Sequence, residues 1–201
     1  MPFFEDSYKD DSVYTFGNMP NSSITEYLKL FKREWNVLDI GCGEGKNSLY
    51  LASLGFNNID AFDISQNAVD KLNRISKQRN FNINSWTQDL CAFRYEKKYD
   101  LIMSFGTLHF TEKTNWREFI IESKNNTKPN GLHIFQIFTN KIPASPDIEP
   151  IAVGLSDENE LRDMYQDWDI LQFKSCAFEG KHTGAPKQYY TSNKIVAQYK
   201  I

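Results

Sequence analysis

A short apolar segment that runs directly into closely spaced glycines constrains the fold of this chain more than any other feature. Residues 36–41 read NVLDIG, and residues 41–45 read GCGEG, with glycines at positions 41, 43 and 45. The apolar segment predicts a buried strand, and KNSLYLASL at residues 46–54 predicts the helix that follows it. Glycines permit a tight turn and leave room for a ligand to touch the backbone. We therefore expect a strand–turn–helix unit that binds a ligand, rather than a plain glycine-rich connector.

Further apolar segments alternate with helical segments after this turn. They predict strands at residues 57–65, 81–90, 99–106 and 132–138, and the segments between them predict helices at residues 66–80 and 114–126. Strands that alternate with helices form a parallel sheet that is covered by helices on both faces. We therefore predict an α/β fold, a three-layer sandwich around a mostly parallel sheet.

The last third of the chain breaks this alternation. Its helix is predicted to begin at Ser156, and the segments after it, at residues 168–178 and 188–200, predict two long strands. Two consecutive strands without an intervening helix indicate an antiparallel hairpin at one edge of the sheet. Near the N-terminus, a short amphipathic helix is predicted to be capped by Ser22 or Ser23.

The length of 201 residues is typical of one domain, and 40% apolar residues are enough to build a core. We expect the single domain to consist of three parts. These are an N-terminal arm and helix at residues 1–34, a cofactor-binding core at residues 35–140, and a C-terminal helix and hairpin at residues 141–201.

Charge and cysteine content exclude several classes of protein. The formal charge is −3 and the isoelectric point is about 5.7, so no overall positive field attracts nucleic acid. The three cysteines form no CxxC pair, so neither a metal site nor a disulfide framework is expected. No stretch approaches the roughly 20 apolar residues of a membrane helix, and the acidic N-terminus does not resemble a secretory signal. We expect a cytoplasmic protein without a membrane partner, either a monomer or a homodimer.

Carboxylates follow the next two predicted strands. Asp63 ends the second strand, 20 residues after Gly43, and Asp89 ends the third. The carboxyl ends of parallel strands form the ligand-binding edge of such a sheet. There Asp63 can accept hydrogen bonds from both hydroxyls of a ribose, and Asp89 can accept one from an adenine amino group. Each acid alone could simply cap a helix, but together with the glycine turn they indicate one adenosine-containing ligand.

The acids beside the glycines favour a cationic ligand over a pyrophosphate. Dinucleotide-binding folds place a pyrophosphate on a GxGxxG turn at a helix N-terminus. Here the turn is GxGxG, and the acidic residues Asp39 and Glu44 flank its glycines. Their negative charge disfavours a pyrophosphate and suits the ammonium and sulfonium groups of S-adenosylmethionine (SAM). The sequence therefore favours SAM over a nicotinamide dinucleotide.

This series of motifs, VLDIGCGEG, DAFDIS, TQDL and YDLIMSFGTLHF, resembles that of the class I SAM-dependent methyltransferases over about residues 36–138. The resemblance implies a seven-stranded sheet of order 3-2-1-4-5-7-6 with the seventh strand antiparallel. It also implies SAM as the cofactor. The residues that it assigns to the methionine part, the ribose, the adenine and the fourth strand end are, in chain order, Asp39, Gly41, Gly43, Gly45, Asp63, Ile64, Asp89, Leu90 and Ser104.

Within that superfamily the chain is most similar to the tellurite-resistance methyltransferases. The similarity lies in GEGKNSLYLASLGF after the first strand, in ENELRDMYQDWDIL near the C-terminus, and in His182 of the last hairpin loop. In that subfamily the final hairpin brings a histidine and basic residues towards the methyl group. The chain departs from its relatives at Thr183, where they carry a basic residue, and Lys187 stands nearby.

Methyl transfer from SAM is an in-line displacement, and the cofactor supplies the electrophile. The resemblance therefore implies a small-molecule acceptor, such as a chalcogen oxyanion or a thiol-like nucleophile, bound in line with the methyl group. His182, which matches the histidine of the final hairpin in the resembling subfamily, and His109, which follows the fourth strand, are the candidate catalytic residues. The alternatives are a solvated hairpin tip for His182 and a helix-start or packing role for His109. His133 lies inside an apolar strand and is predicted to be structural.

Other functions stay open from the sequence. An RNA or protein methyltransferase is disfavoured because the chain has no basic stripe, and because SFGT follows the fourth strand in place of an NPPY-type tetrapeptide. A nicotinamide-dependent oxidoreductase is disfavoured by the acidic GxGxG turn. A non-catalytic domain that senses SAM or a nucleotide remains an alternative, because methyl transfer requires no obligatory catalytic side chain.

The irregular N-terminal segment is rich in aromatic and apolar side chains, including Tyr8, Tyr14, Phe16 and Met19. One interpretation is a lid that folds over the site and excludes water. The alternative is that these side chains pack against the core away from the site.

Overall fold

The structure is a computed structural model that describes residues 5–6, 8–10, 13–144, 146, 148–180 and 188–200. The strands are β1 (Val37–Ile40), β2 (Ile59–Asp63), β3 (Ile83–Thr87), β4 (Tyr99–Phe105), β5 (Thr127–Phe138), β6 (Asp169–Gly180) and β7 (Gln188–Gln198). The helices are α1 (Ser22–Tyr27), α2 (Lys46–Ser53), α3 (Gln66–Gln78), α4 (Lys113–Asn125) and α5 (Glu160–Asp163). Short 3-10 turns lie at Leu28–Leu30, Leu90–Ala92 and Leu108–Phe110.

The strands form one sheet of order β3-β2-β1-β4-β5-β7-β6. Strands β1, β2 and β3 are parallel, whereas β7 runs antiparallel to both β5 and β6. The predicted fold class, the strand order and the antiparallel seventh strand are therefore confirmed. Within the described part of the chain, no helix has both the length and the apolar character needed to cross a membrane.

The contacts within the chain define two compact units, residues 1–103 and residues 104–201. In the first unit, the parallel strands pair Asp39 with Ala61 and Asp63 with Thr87. Strands β1 and β2 are buried along their whole length, as expected for a parallel sheet with both faces covered. Consequently the two strands end side by side, and the residues that follow them start from a fixed position.

Helix α3 of the first unit follows the predicted apolar pattern. It buries Ala68, Val69 and Leu72, and its first turn is capped by Ser65, whose hydroxyl accepts a hydrogen bond from the Ala68 N–H. The buried side chain of Lys71 was not predicted, because a lysine on a helix usually points to solvent.

The second unit contains the predicted hairpin. Strand β7 pairs with β6 from Gly180↔Gln188 to Asp169↔Gln198 and with β5 on its other side. The antiparallel hairpin is thus confirmed, although the loop that joins its strands, residues 181–187, lies outside the described residues.

The predicted starts of two helices were wrong. Asn21, not Ser22 or Ser23, caps α1, since its side chain accepts a hydrogen bond from the Ser23 N–H. Helix α5 begins only at Glu160, because the Ser156 N–H donates to the Phe138 carbonyl and Ser156 forms an isolated parallel bridge with Thr139, just after β5. The local pattern does not reveal this pairing, whereas asparagine is a preferred N-cap residue and Asn21 stands directly before the helix.

His133 of β5 is a structural residue, as its place in an apolar strand predicted. Its ring is buried, with Nε2 2.8 Å from the Thr127 hydroxyl and Nδ1 2.6 Å from the Tyr165 hydroxyl. Burial, together with the nearby Lys124 ammonium, lowers the pKa of His133 to about 3. The imidazole is therefore neutral in the folded protein at physiological pH.

This neutral histidine predicts a loss of stability in acid. The unfolded chain binds a proton at His133 near pH 6.5, whereas the folded protein does so only near pH 3. The free energy of unfolding should therefore fall as the pH decreases from about 6.5 towards 3, by up to about 1.4 kcal/mol per pH unit from this group. Urea denaturation at pH 7.5, 6 and 5 measures it. His133→Asn should be less stable at pH 7.5 and lose less on acidification, and equal losses in both proteins would contradict the assignment.

Candidate cofactor-binding site

Three positions of the turn between β1 and α2 favour glycine because of their backbone conformation. Gly41, Gly43 and Gly45 all have positive φ angles, of 62°, 53° and 77°. Such left-handed conformations are costly for residues with a side chain. A Cβ atom on Gly45 would also lie 2.3 Å from Leu72 Cδ1 of α3. The turn thus packs closely on helix α3 at Gly45, where a side chain has no room.

Asp63, at the end of β2, contacts this turn directly. Its Oδ2 accepts a hydrogen bond of 2.8 Å from the Gly43 N–H, and its Oδ1 accepts one of 3.0 Å from the Ser65 N–H. Burial raises the pKa of Asp63 above its usual value, although these backbone donors act in the opposite direction. The structure therefore brings together two predicted site residues that are 20 positions apart.

Asp39 lies buried in β1, just before the turn. Its Oδ2 accepts a hydrogen bond of 2.7 Å from the Ser48 hydroxyl of α2. Burial raises the pKa of Asp39 to about 7, and the nearby Asp63 carboxylate adds to the shift. A buried acid of this kind is stabilised by any cation that binds next to it.

Glu44, which was predicted to suit a cationic ligand together with Asp39, is paired with a cation of the protein itself. Its Oε2 lies 3.0 Å from the Lys71 Nζ in a buried ion pair, and its Oε1 accepts a hydrogen bond from the Thr15 N–H. A charge compensated inside the protein contributes little to attracting a ligand. The signal for Lys71 was present in the sequence, because it lies on the face of α3 between Ala68 and Leu72, where side chains are buried.

The third strand end contributes two more predicted residues. Asp89 is exposed, and its Oδ1 accepts a hydrogen bond of 2.8 Å from the Cys91 N–H at the start of a 3-10 turn. Leu90 beside it is buried. Gln88, just before Asp89, donates its N–H to the Asp63 carbonyl at 2.9 Å, which ties the second strand end to the third. Ile64, next to Asp63, is 39% exposed, so an apolar surface is available beside the acid.

The remaining predicted residues belong to the second unit. Ser104 is buried in β4. The ring of His109 is 0% exposed and stacks on Phe138, with ring centroids 4.2 Å apart. These contacts favour a packing role for His109. His182, and with it Thr183 and Lys187, lies outside the described residues.

The N-terminal arm, meaning the described residues before α1, contacts the glycine turn and α3. Tyr8 is 6% exposed, and its hydroxyl oxygen lies 2.8 Å from the position that a Cβ on Gly43 would occupy. Glu5 accepts hydrogen bonds from the Gln66 and Asn67 N–H groups at the start of α3. Met19, by contrast, is 75% exposed. The aromatic composition of the arm predicted that its side chains pack on the protein, but no sequence pattern predicted the contact of Glu5 with α3.

Comparisons with known proteins agree with this fold. The family model of the tellurite resistance protein TehB matches residues 4–188. The probable S-adenosyl-L-methionine-dependent methyltransferase TehB of Haemophilus influenzae is 31% identical over 140 residues, 68% of this chain and 47% of that protein. The crystal structure of TehB from Haemophilus influenzae aligns with a TM-score of 0.79 at 23% identity, covering 98% of this chain and 66% of that chain. The N-methyltransferase NodS from Bradyrhizobium japonicum, in complex with S-adenosyl-L-homocysteine (SAH), aligns with a TM-score of 0.68 at 17% identity, covering 97% and 95%.

The fold is therefore that of the SAM-dependent methyltransferases. The family model spans most of the chain, and the chain belongs to the TehB family. It spans about half the length of the curated relatives it matches.

The close packing of the turn predicts a specific loss of stability. Gly45→Ala should lower the free energy of unfolding by about 2–5 kcal/mol, from left-handed strain of about 1–2 kcal/mol plus overpacking against Leu72 of about 1–3 kcal/mol. Gly17→Ala is the matched control, because Gly17 has a φ of 74° but nothing within 4 Å of its Cβ position. It should lose only about 1–2 kcal/mol. Denaturant unfolding measures both, and equal losses would contradict the close contact.

Proposed function

We propose that the chain is a SAM-dependent methyltransferase that acts on a small molecule. Its membership of the TehB family supports the reaction class. The observation that carries the proposal is the hydrogen bond between the Gly43 N–H and the Asp63 carboxylate. This bond holds a glycine-rich turn next to a buried acid, and a ligand with a ribose beside a charged amino-acid part needs both.

The residues present fit the chemistry of SAM. Asp63 would accept hydrogen bonds from the ribose hydroxyls through the acceptor capacity that its two backbone bonds leave. Asp39, whose pKa is raised by burial, would be stabilised as a carboxylate by the positive charge of the methionine part. Asp89 and Leu90 would hold the adenine, with Ile64 as an apolar contact. When bound, SAM supplies an electrophilic sulfonium methyl group.

The chain contributes orientation rather than covalent chemistry. Its strand ends would fix the cofactor through carboxylates that are already held by hydrogen bonds, so little reorganisation is needed on binding. An acceptor held in line with the methyl group gains most of its acceleration from positioning. No nucleophilic side chain of the protein is needed for this reaction.

Removing the carboxylate of Asp63 should weaken binding strongly. Asp63→Asn is nearly isosteric but loses charged acceptor bonds, each worth about 1.5–3 kcal/mol, so the Kd for SAM and for SAH should rise about 10- to 100-fold. Isothermal titration calorimetry with SAM, SAH and NAD measures this. Asp60→Asn is the control, since Asp60 is a buried acid of the same strand whose partners are Lys97 and Tyr99. Tighter binding of NAD, or an equal effect of both substitutions, would overturn the proposal.

We further propose that the acceptor is a small, soft nucleophile, either a chalcogen oxyanion or a thiol. The name of the family, tellurite resistance protein, supports this class. His182, with Lys187 nearby, is the proposed group that orients an anionic acceptor, because a charge-assisted hydrogen bond both attracts and aligns it. His109 is the weaker candidate, given its buried ring. A cytoplasmic location is proposed as well, because three widely spaced cysteines without a CxxC pair fit a reducing compartment.

An acceptor panel tests this finer proposal. Tellurite, selenite and small thiols should each be incubated with the full chain and SAM, and SAH release followed. We expect turnover with at least one of them. His182→Ala should raise the KM for an anionic acceptor about tenfold, the loss of roughly one charge-assisted hydrogen bond, with the Kd for SAH unchanged. Full SAM binding without turnover on any member of the panel would reject this acceptor class.

A further inference from the structure

The N-terminal arm is attached to the turn by a series of hydrogen bonds. The Thr15 N–H donates to Glu44 Oε1 at 2.7 Å, and the Lys46 Nζ donates to the Phe16 carbonyl at 2.9 Å. The Asn21 N–H donates to the Asn47 side chain at 2.9 Å. All three contacts on the core side lie immediately after Gly43. The arm therefore follows the part of the chain where a ligand would lie.

The buried ammonium group of Lys71 in α3 also holds the arm. The side chain of Lys71 is 2% exposed, and its Nζ forms the ion pair with Glu44. The same Nζ donates to the carbonyls of Asp10 and Val13, at 3.2 Å and 2.6 Å. An ammonium has three donors, and a buried one is tolerated only when it is paired and hydrogen-bonded. The two arm carbonyls thus compensate part of this charge. In turn, the buried Lys71 holds the arm in its position against the turn.

Tyr8 is the side chain that this arrangement brings onto the turn. Its hydroxyl lies against Gly43, and its ring packs edge-on against Phe16, with centroids 5.9 Å apart. Burial, followed by the nearby Asp63 and Glu44 carboxylates, raises the pKa of Tyr8 well above its usual value. The hydroxyl therefore remains protonated and can donate a hydrogen bond. A ligand that touches the backbone of this turn meets the hydroxyl of Tyr8.

We propose that Tyr8 is a cofactor-binding residue carried by the arm, and that Lys71 is the positioning residue that holds it against the glycine turn. The inference rests on the proposed function, because it takes SAM as the ligand. Tyr8 would contact the part of the ligand on the turn through its hydroxyl. Lys71 would act without touching the ligand, through Glu44 and the carbonyls of Asp10 and Val13.

The test measures binding of SAH to the full chain, by titration for the Kd and by stopped-flow fluorescence for the dissociation rate. Tyr8→Phe keeps the ring and removes the hydroxyl, and we expect the Kd to rise about tenfold, as for one hydrogen bond to a charged group. Lys71→Met should release the arm and raise the dissociation rate about tenfold or more. Tyr50→Phe and Lys77→Met are the matched controls and should bind as the wild type does, because both lie outside these contacts.

The positioning role has its own readout. If Lys71 acts through Tyr8, the Kd of the double variant Tyr8→Phe/Lys71→Met for SAH should be no higher than the higher Kd of the two single variants. If the two residues act independently, the fold-increases in Kd of the single variants would multiply in the double variant. Should Lys71→Met fold poorly, Glu44→Gln/Lys71→Met removes both buried charges and still lacks the anchor of the arm. It should then show the same fast dissociation.

The outcomes separate this inference from the proposed function. If the wild type binds neither SAM nor SAH, the proposed function itself fails. If the wild type binds and Asp63→Asn weakens binding, but Tyr8→Phe and Lys71→Met bind normally, only the inference fails. Tighter binding by Tyr8→Phe would show that Tyr8 obstructs the site, which overturns the inference as well.

Discussion

The hydrogen bond from the Gly43 N–H to Asp63 Oδ2 joins the first strand end to the second, and the site depends on it. The backbone at Gly43 is left-handed, a conformation that costs a residue with a side chain about 1–2 kcal/mol. The absence of a side chain there also makes room for Tyr8. One backbone geometry thus fixes the turn, orients the acid and admits the arm.

The concentration of negative charge around this bond is the main electrostatic cost of the site. Each of three buried acids is compensated differently: Asp39 by a hydroxyl, Asp63 by backbone N–H groups and Glu44 by the ammonium of Lys71. Burial is the largest cause of the raised pKa of Asp39 and of Asp63. A cationic ligand would therefore gain most from Asp39 and Asp63, whereas Glu44 serves the arm.

The predictions from sequence were most accurate where a repeated local pattern carried the information. The alternation of strands and helices predicted the parallel sheet, the methyltransferase resemblance supplied the strand order, and the two apolar segments after Ser156 predicted the hairpin. Helix starts were less accurate, because a cap depends on one contact. Asn21 is a preferred N-cap residue that was passed over for the serines after it. The pairing of the Ser156 N–H with the end of a strand has no signature in the surrounding residues.

The glycine spacing and the acids at strand ends were enough to predict the turn and, through the resemblance, the family, because these depend on residue type at fixed positions along the chain. Tertiary structure alone decided which charges remain for a ligand. Glu44 and Lys71 are far apart in sequence and meet only when α3 packs under the turn. The arm likewise has no regular sequence pattern. Its position depends on the hydrogen bonds that its own backbone carbonyls accept from Lys71. Long-range compensation of a buried charge is a property of the folded molecule, and no local pattern records it.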